Sequence, residues 1–180
     1  MKRMKIFVLL LIAMSLSTAG TAAQGAATPD ATPAADTVIY MPSVEYIDEA
    51  GNVIAVMTVT DIEQDWTDYA EFYAPRAGNE FVRVTVQVES RVGRGTFTVE
   101  PYFFYLQDMD GFMYQAVPIP TVEEEAAGFD PFASILDLAG GETGELHLTF
   151  EVLSGVDLQA LYFSPDLYTR LITVAEFDEE

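Results

Sequence analysis

His147 is the only histidine in a chain of 180 residues that contains no cysteine. Together these facts close off much of the chemistry open to a small protein. A zinc site needs several nitrogen or sulfur ligands, and one imidazole supplies a single one. A serine triad needs a base held against its nucleophile. The serines are scattered, and none stands in the Gly-x-Ser-x-Gly turn of a nucleophile elbow. Carboxylate chemistry remains. Asp61, Glu63 and Asp65 alternate, with Asp68 close behind, and such oxygen ligands suit Ca²⁺. In so acidic a chain a run of this kind is more often a solvated face, so weak Ca²⁺ binding is the most it predicts. Asp108-Met109-Asp110-Gly111 also invites a calcium loop. An EF-hand counted from Asp108 needs glycine sixth and glutamate twelfth; here glycine is fourth and Ile119 twelfth, so the residues read as a hairpin turn. Glu123, Glu124 and Glu125 are expected to splay in an irregular acidic loop from Pro118 to Ser134. Carboxylates for glycoside hydrolysis abound, but no spacing singles out a pair. No catalytic residue, metal ligand or cofactor is assigned.

The aromatic group Trp66, Tyr69, Phe72 and Tyr73 is the candidate recognition surface. Exposed, these rings could stack on sugars or anchor a protein partner. Buried, they would plug an open end of the fold. Their spacing within Glu63 to Asn79 suits a short amphipathic helical turn, closed by Pro75 and Gly78.

These side chains must be positioned by strands. Along Glu80 to Glu89, Val82, Val84, Val86 and Val88 alternate with Arg83, Thr85, Gln87 and Glu89. Successive strand residues point to opposite faces, so this period of two predicts a half-buried β-strand with its valines inward. One apolar face needs a second layer to cover it. Glu145 to Val152 repeats the pattern, with Leu146, Leu148, Phe150 and Val152 inward and His147, Thr149 and Glu151 outward. Val38 to Ile47 reads as one strand interrupted by Pro42, at an edge or a bulge. Val53 to Ile62, Phe97 to Glu100, Tyr102 to Asp108, Phe112 to Val117, Leu158 to Phe163 and Leu171 to Val174 are further candidates, and Ile135 to Leu138 a brief one. The expectation is an all-β, immunoglobulin-like antiparallel β-sandwich of about seven to nine strands with little helix.

The start of the chain has a different composition. Met1 to Lys5 is basic, Ile6 to Leu16 apolar, and Ser17 to Ala23 small, the pattern of a cleaved signal peptide. An apolar stretch that short falls well below the ~20 residues needed to span a bilayer, so no stable membrane insertion is expected after cleavage. Residues 24–37, rich in Ala, Thr and Pro, read as a linker. The sandwich is then placed at 38–177, with an acidic tail at 178–180. Removal of 1–23 would leave five arginines against 29 acidic residues, a net charge of −24 with no lysine. Such a surface repels phosphate backbones, which excludes nucleic acid as a partner.

Leu106 to Tyr114, Leu138 to Phe150 and Leu161 to Pro165, following an alternating strand, resemble segments of the bacterial telokin-like immunoglobulin domains. That family has no established function and is grouped with a small secreted immunoprotective antigen. The resemblance spans roughly Val53 to Val174. Glu89-Ser90 and Ala139-Gly140 depart from the family's asparagine and Pro-Gly at two turns. The resemblance implies an immunoglobulin-like fold and carries no catalytic residues. The functional expectation is a secreted or envelope, non-enzymatic binding module for an unknown protein or envelope partner. The alternative is a secreted hydrolase using Asp or Glu at a loop end.

Overall fold

The computed structural model describes residues 38–40, 43–166 and 170–178. The expected signal peptide and linker, Pro42 and residues 179–180 lie outside the described residues. The described chain forms an antiparallel, immunoglobulin-like β-sandwich.

The central alternating stretch becomes β4 (Asn79–Ser90), with Val82, Val84, Val86 and Val88 wholly buried. It pairs antiparallel with β3 (Val53–Glu63) on one side and β9 (Thr143–Leu153) on the other. With β2 (Ser43–Ile47) this makes a four-stranded sheet in the order β2-β3-β4-β9. Leu146, Leu148, Phe150 and Val152 of β9 face the same interior as the valines.

The opposing sheet has five strands. β1 (Val38–Tyr40) pairs with β11 (Ile172–Asp178), then come β10 (Leu158–Phe163), β6 (Phe104–Asp108) and β7 (Met113–Gln115). β5 (Thr96–Val99) and β8 (Leu136–Ala139) pair as a separate two-stranded ladder. Phe104, Leu106, Leu161, Phe163 and Val174 meet the valine face, and Phe163 packs against the rings of Phe97, Phe103, Phe104 and Tyr46. Both layers supply large apolar side chains, so the core stands without disulfides.

Eleven strands stand among the described residues, more than the seven to nine expected. Val38 to Ile47 is not one strand: β1 joins the five-stranded sheet and β2 the four-stranded one. Each of the other strands overlaps a candidate read from the sequence, including the ladders of three or four residues at β5, β7 and β8. Asp178, read as the start of the acidic tail, is a strand residue paired with Val38.

Asp110-Gly111 forms a turn, as its composition predicts. Asp108 and Phe112 close the loop, with the Asp108 N–H donating to the Phe112 carbonyl at 3.1 Å. Gly111 sits at φ +88°, the left-handed region that a three-residue hairpin loop needs at that place. The Asp108 carboxylate is 1% exposed and accepts from Phe112 N (2.8 Å) and Tyr114 Oη (2.7 Å). Burial, reinforced by that bond, pushes the Tyr114 phenol up to about 12.

The stretch from Pro118 to Ser134 departs from expectation. Instead of an irregular loop it holds a short helix, α1 (Val122–Ala127), and a 3-10 turn at Pro131–Ser134. Thr121 Oγ1 accepts from the Glu124 N–H while the Glu124 carboxylate accepts from the Thr121 N–H, a reciprocal cap that satisfies two otherwise orphaned donors. Glu123, Glu124 and Glu125 therefore lie in the first turn, where the helix dipole favours negative charge, and do not splay. Gly128, at φ +89°, ends the helix.

Candidate functional site

A strand with one buried face normally shows water its other face. On β4 and β9 that outer face carries Phe81, Arg83, Thr85 and Gln87 opposite Glu151, Thr149, His147 and Glu145. Two excursions of the chain come over it. The first, between β3 and β4, brings Trp66 and Tyr69 onto Phe81; the Tyr69 and Phe81 rings meet edge-on with centroids 5.1 Å apart. The Trp66 backbone N–H donates to the Phe81 carbonyl at 2.8 Å, tying that excursion to the start of β4. The second runs from Val117, which bridges to Thr149, through α1 to Leu136. The two excursions meet where the Ala70 N–H donates to the Pro120 carbonyl.

The aromatic group is thus divided. Trp66 is 3% exposed and Tyr69 and Tyr73 are half-buried. Phe72 is 88% exposed, with its ring edge-on to Tyr73. In place of an amphipathic helical turn, the segment contains one 3-10 turn at Glu71–Tyr73. Thr149, expected outward and wet, does point outward but is 2% exposed, because Val117 lies alongside it. Asp61, Glu63 and Asp65 are each exposed. They do not gather: among the described residues, no three acidic or histidine side chains converge as a metal site would require.

Between the second excursion and the outer face lies a groove of about 370 Å³. That falls within the ~300–1,000 Å³ typical of small-ligand sites. Its apolar lining comes from Pro101, Pro118, Ile119, Ala127, Phe129 and Leu136. Its polar side chains are Arg83, Glu124, Asp130, Ser134, Glu145 and His147. Most of these are engaged. Glu124 caps α1, and Asp130 accepts from Phe132 N at 3.0 Å. His147 Nδ1 lies 3.2 Å from Thr85 Oγ1, and its Nε2 lies 3.3 Å from Glu145 Oε1.

Arg83 is different. Its Cζ sits 4.5 Å from the centroid of the Trp66 ring. The guanidinium makes neither an ion pair nor a hydrogen bond with any described residue. Glu63 stands opposite it in the β3–β4 ladder without closing a pair. Stacking on an indole offsets part of the cost of drawing a cation out of water and leaves the N–H edge unspent.

A smaller hollow of about 150 Å³ lies between the β6–β7 turn and the loop before β10, lined by Asp108, Asp110 and Asp157. Asp108 is already committed there to Tyr114 and Phe112.

Sequence reasoning places Arg83 and His147 correctly on an outward face but does not single out Arg83. Its partner Trp66 is distant in sequence, and no periodicity links them. The Thr121-x-x-Glu124 capping pattern was the legible sign that the groove's outer wall would be helical.

Residues 48–170 match a family described as a domain of unknown function (DUF4352). Among solved structures, the chain is similar to ycdA of Bacillus subtilis, described as a lipoprotein. The identity is 15% and the TM-score 0.53, with 78% of this chain and 39% of that one covered. The chain thus spans well under half the length of ycdA. It is also similar to the secreted protein MPT63 of Mycobacterium tuberculosis, at 15% identity and a TM-score of 0.49 over 77% of this chain and 92% of that one. No curated protein matches the chain.

Proposed function

The chain belongs to the DUF4352 family, and from that premise we propose that it is an exported, non-enzymatic binding module whose ligand enters the groove beside α1. The observation that carries this reading is the outer face of β4 and β9. A sheet face that owed nothing to function would be solvated and paired within itself. Here it is partly covered by a capped helix, and it retains one arginine with no partner among the described residues. The two-sheet plan and the segments at Leu106–Tyr114 and Leu138–Phe150 further support grouping the domain with the telokin-like immunoglobulin domains. The exported location is supported by the leader pattern of residues 1–23, which suits a module of the envelope or the cell exterior.

Geometry favours binding over turnover. His147, the sole imidazole, is held between Thr85 and Glu145, and no described serine bonds to it. Assay of the purified protein against chromogenic ester, glycoside and phosphate substrates tests the proposal. No turnover above buffer is expected. Turnover abolished by a single Asp or Glu substitution would establish the hydrolase alternative instead.

A further inference from the structure

We infer that the groove beside α1 takes a compact ligand bearing one carboxylate on an apolar body, and that Arg83, braced on Trp66, is its charge anchor. The inference rests on the binding-module reading and assigns the chemistry of the same site.

A guanidinium presents its N–H donors in a planar fork that matches the two oxygens of a carboxylate. The other charged groove groups are used within the fold, whereas Arg83, which also lines the groove, donates to no described residue. Trp66 covers one face of the guanidinium; its backbone is tied by an amide bond to the Phe81 carbonyl, and its buried ring packs against those of Tyr69 and Phe81. The cation is therefore held in one orientation before any ligand arrives, which lowers the ordering cost of binding. Pro118, Ile119, Phe129 and Leu136 offer the ligand an apolar wall.

The charge of the ligand is limited from both sides. A neutral molecule would leave the half-buried cation unmatched. A doubly charged phosphate would meet the nearby carboxylates of Glu124, Asp130 and Glu145, in a molecule already strongly negative. One negative charge satisfies Arg83 at the least repulsion.

Trp66 is the only tryptophan, so its fluorescence reports directly on the anchor. The purified protein is titrated with phenylacetate, with phenylacetamide as the neutral isostere and phenylphosphonate as the more highly charged one. Calorimetry supplies the affinities. Phenylacetate should change Trp66 emission saturably, and the other two should bind at least tenfold more weakly. Arg83→Met should lower phenylacetate affinity tenfold or more. Arg83→Lys, which keeps the charge but not the fork, should lower it several-fold and covers the case in which the methionine variant does not fold.

Equal binding of the amide would overturn the charge anchor. Tighter binding of the phosphonate would overturn the single-charge assignment, and unchanged affinity in the Arg83 variants would overturn the residue. Absence of saturable binding by all three probes below about 10 mM, weaker than the millimolar floor of useful recognition, would overturn the inference as a whole. That last result would leave the binding-module reading standing, because the substrate assay tests it separately.

Discussion

Glu151 gathers three donors onto one carboxylate oxygen: Arg76 N at 2.9 Å, Arg76 Nε at 2.8 Å and Asn79 Nδ2 at 2.7 Å. The bond from the Arg76 side chain holds its carboxyl below the usual glutamate range, outweighing the opposite effect of partial burial. A carboxylate whose proton affinity falls on folding stabilises the native state above its unfolded pKa. That contribution is lost as pH drops through the depressed native value. Glu151→Gln should therefore lower the melting temperature at neutral pH by about 2–4 °C for a chain of this size. The gap from the parent should close as the buffer is taken down through the acidic range. A gap that stayed constant with pH would mean that the charge on Glu151 is not what ties the Arg76–Asn79 turn to β9. At the same scale, Arg83 is the contrasting case: the same residue type, half-buried, with an indole in place of a carboxylate among the described residues.

Among elements, β4 sets the register of everything around it. Its strict alternation places Val86 at 0% exposure, opposite Leu146 of β9 and Val59 of β3. Val86→Asp should prevent folding, since an unpaired buried carboxylate costs several kcal/mol against a total stability of about 5–15 kcal/mol. Thr85→Asp should melt only a few degrees below the parent. It loses the contact with His147 and gains a like charge near Asp61, its partner in the ladder, but remains at the surface. Equal melting temperatures for the two variants would show the register to be wrong. The alternation is also why β4 and β9 were legible in the sequence, down to which residues face outward. Local patterning could not reveal what lies over that outward face. Thr149 is buried by a bridge to Val117, and Arg83 is braced by Trp66; both depend on where two irregular excursions return. The separation of β1 from β2 was equally illegible, because consecutive extended residues look alike whichever sheet they join. At Gly140 the constraint is tertiary too. A Cβ on Gly140 would collide with the backbone carbonyl of Val92.

For the whole molecule the dominant fact is charge. Beyond residue 23 the chain has five arginines against 29 acids, and two of those arginines are already paired, Arg76 with Glu151 and Arg91 with Glu89. Folding draws the remaining carboxylates together, so the native state carries more like-charge repulsion than the expanded chain. Salt screens that repulsion, with a Debye length of about 10 Å at 0.1 M, so sodium chloride should raise the melting temperature without occupying any site. A calcium site would act differently, stabilising by mass action at fixed ionic strength. Asp61, Glu63 and Asp65, the best acidic candidates in the sequence, point into solvent and do not converge. Melting in about 0.15 M salt should therefore be insensitive to millimolar CaCl₂, with MgCl₂ as the matched control. A rise of several degrees with calcium alone, lost on Asp61→Asn or Asp65→Asn, would mean that the cation itself draws the cluster together.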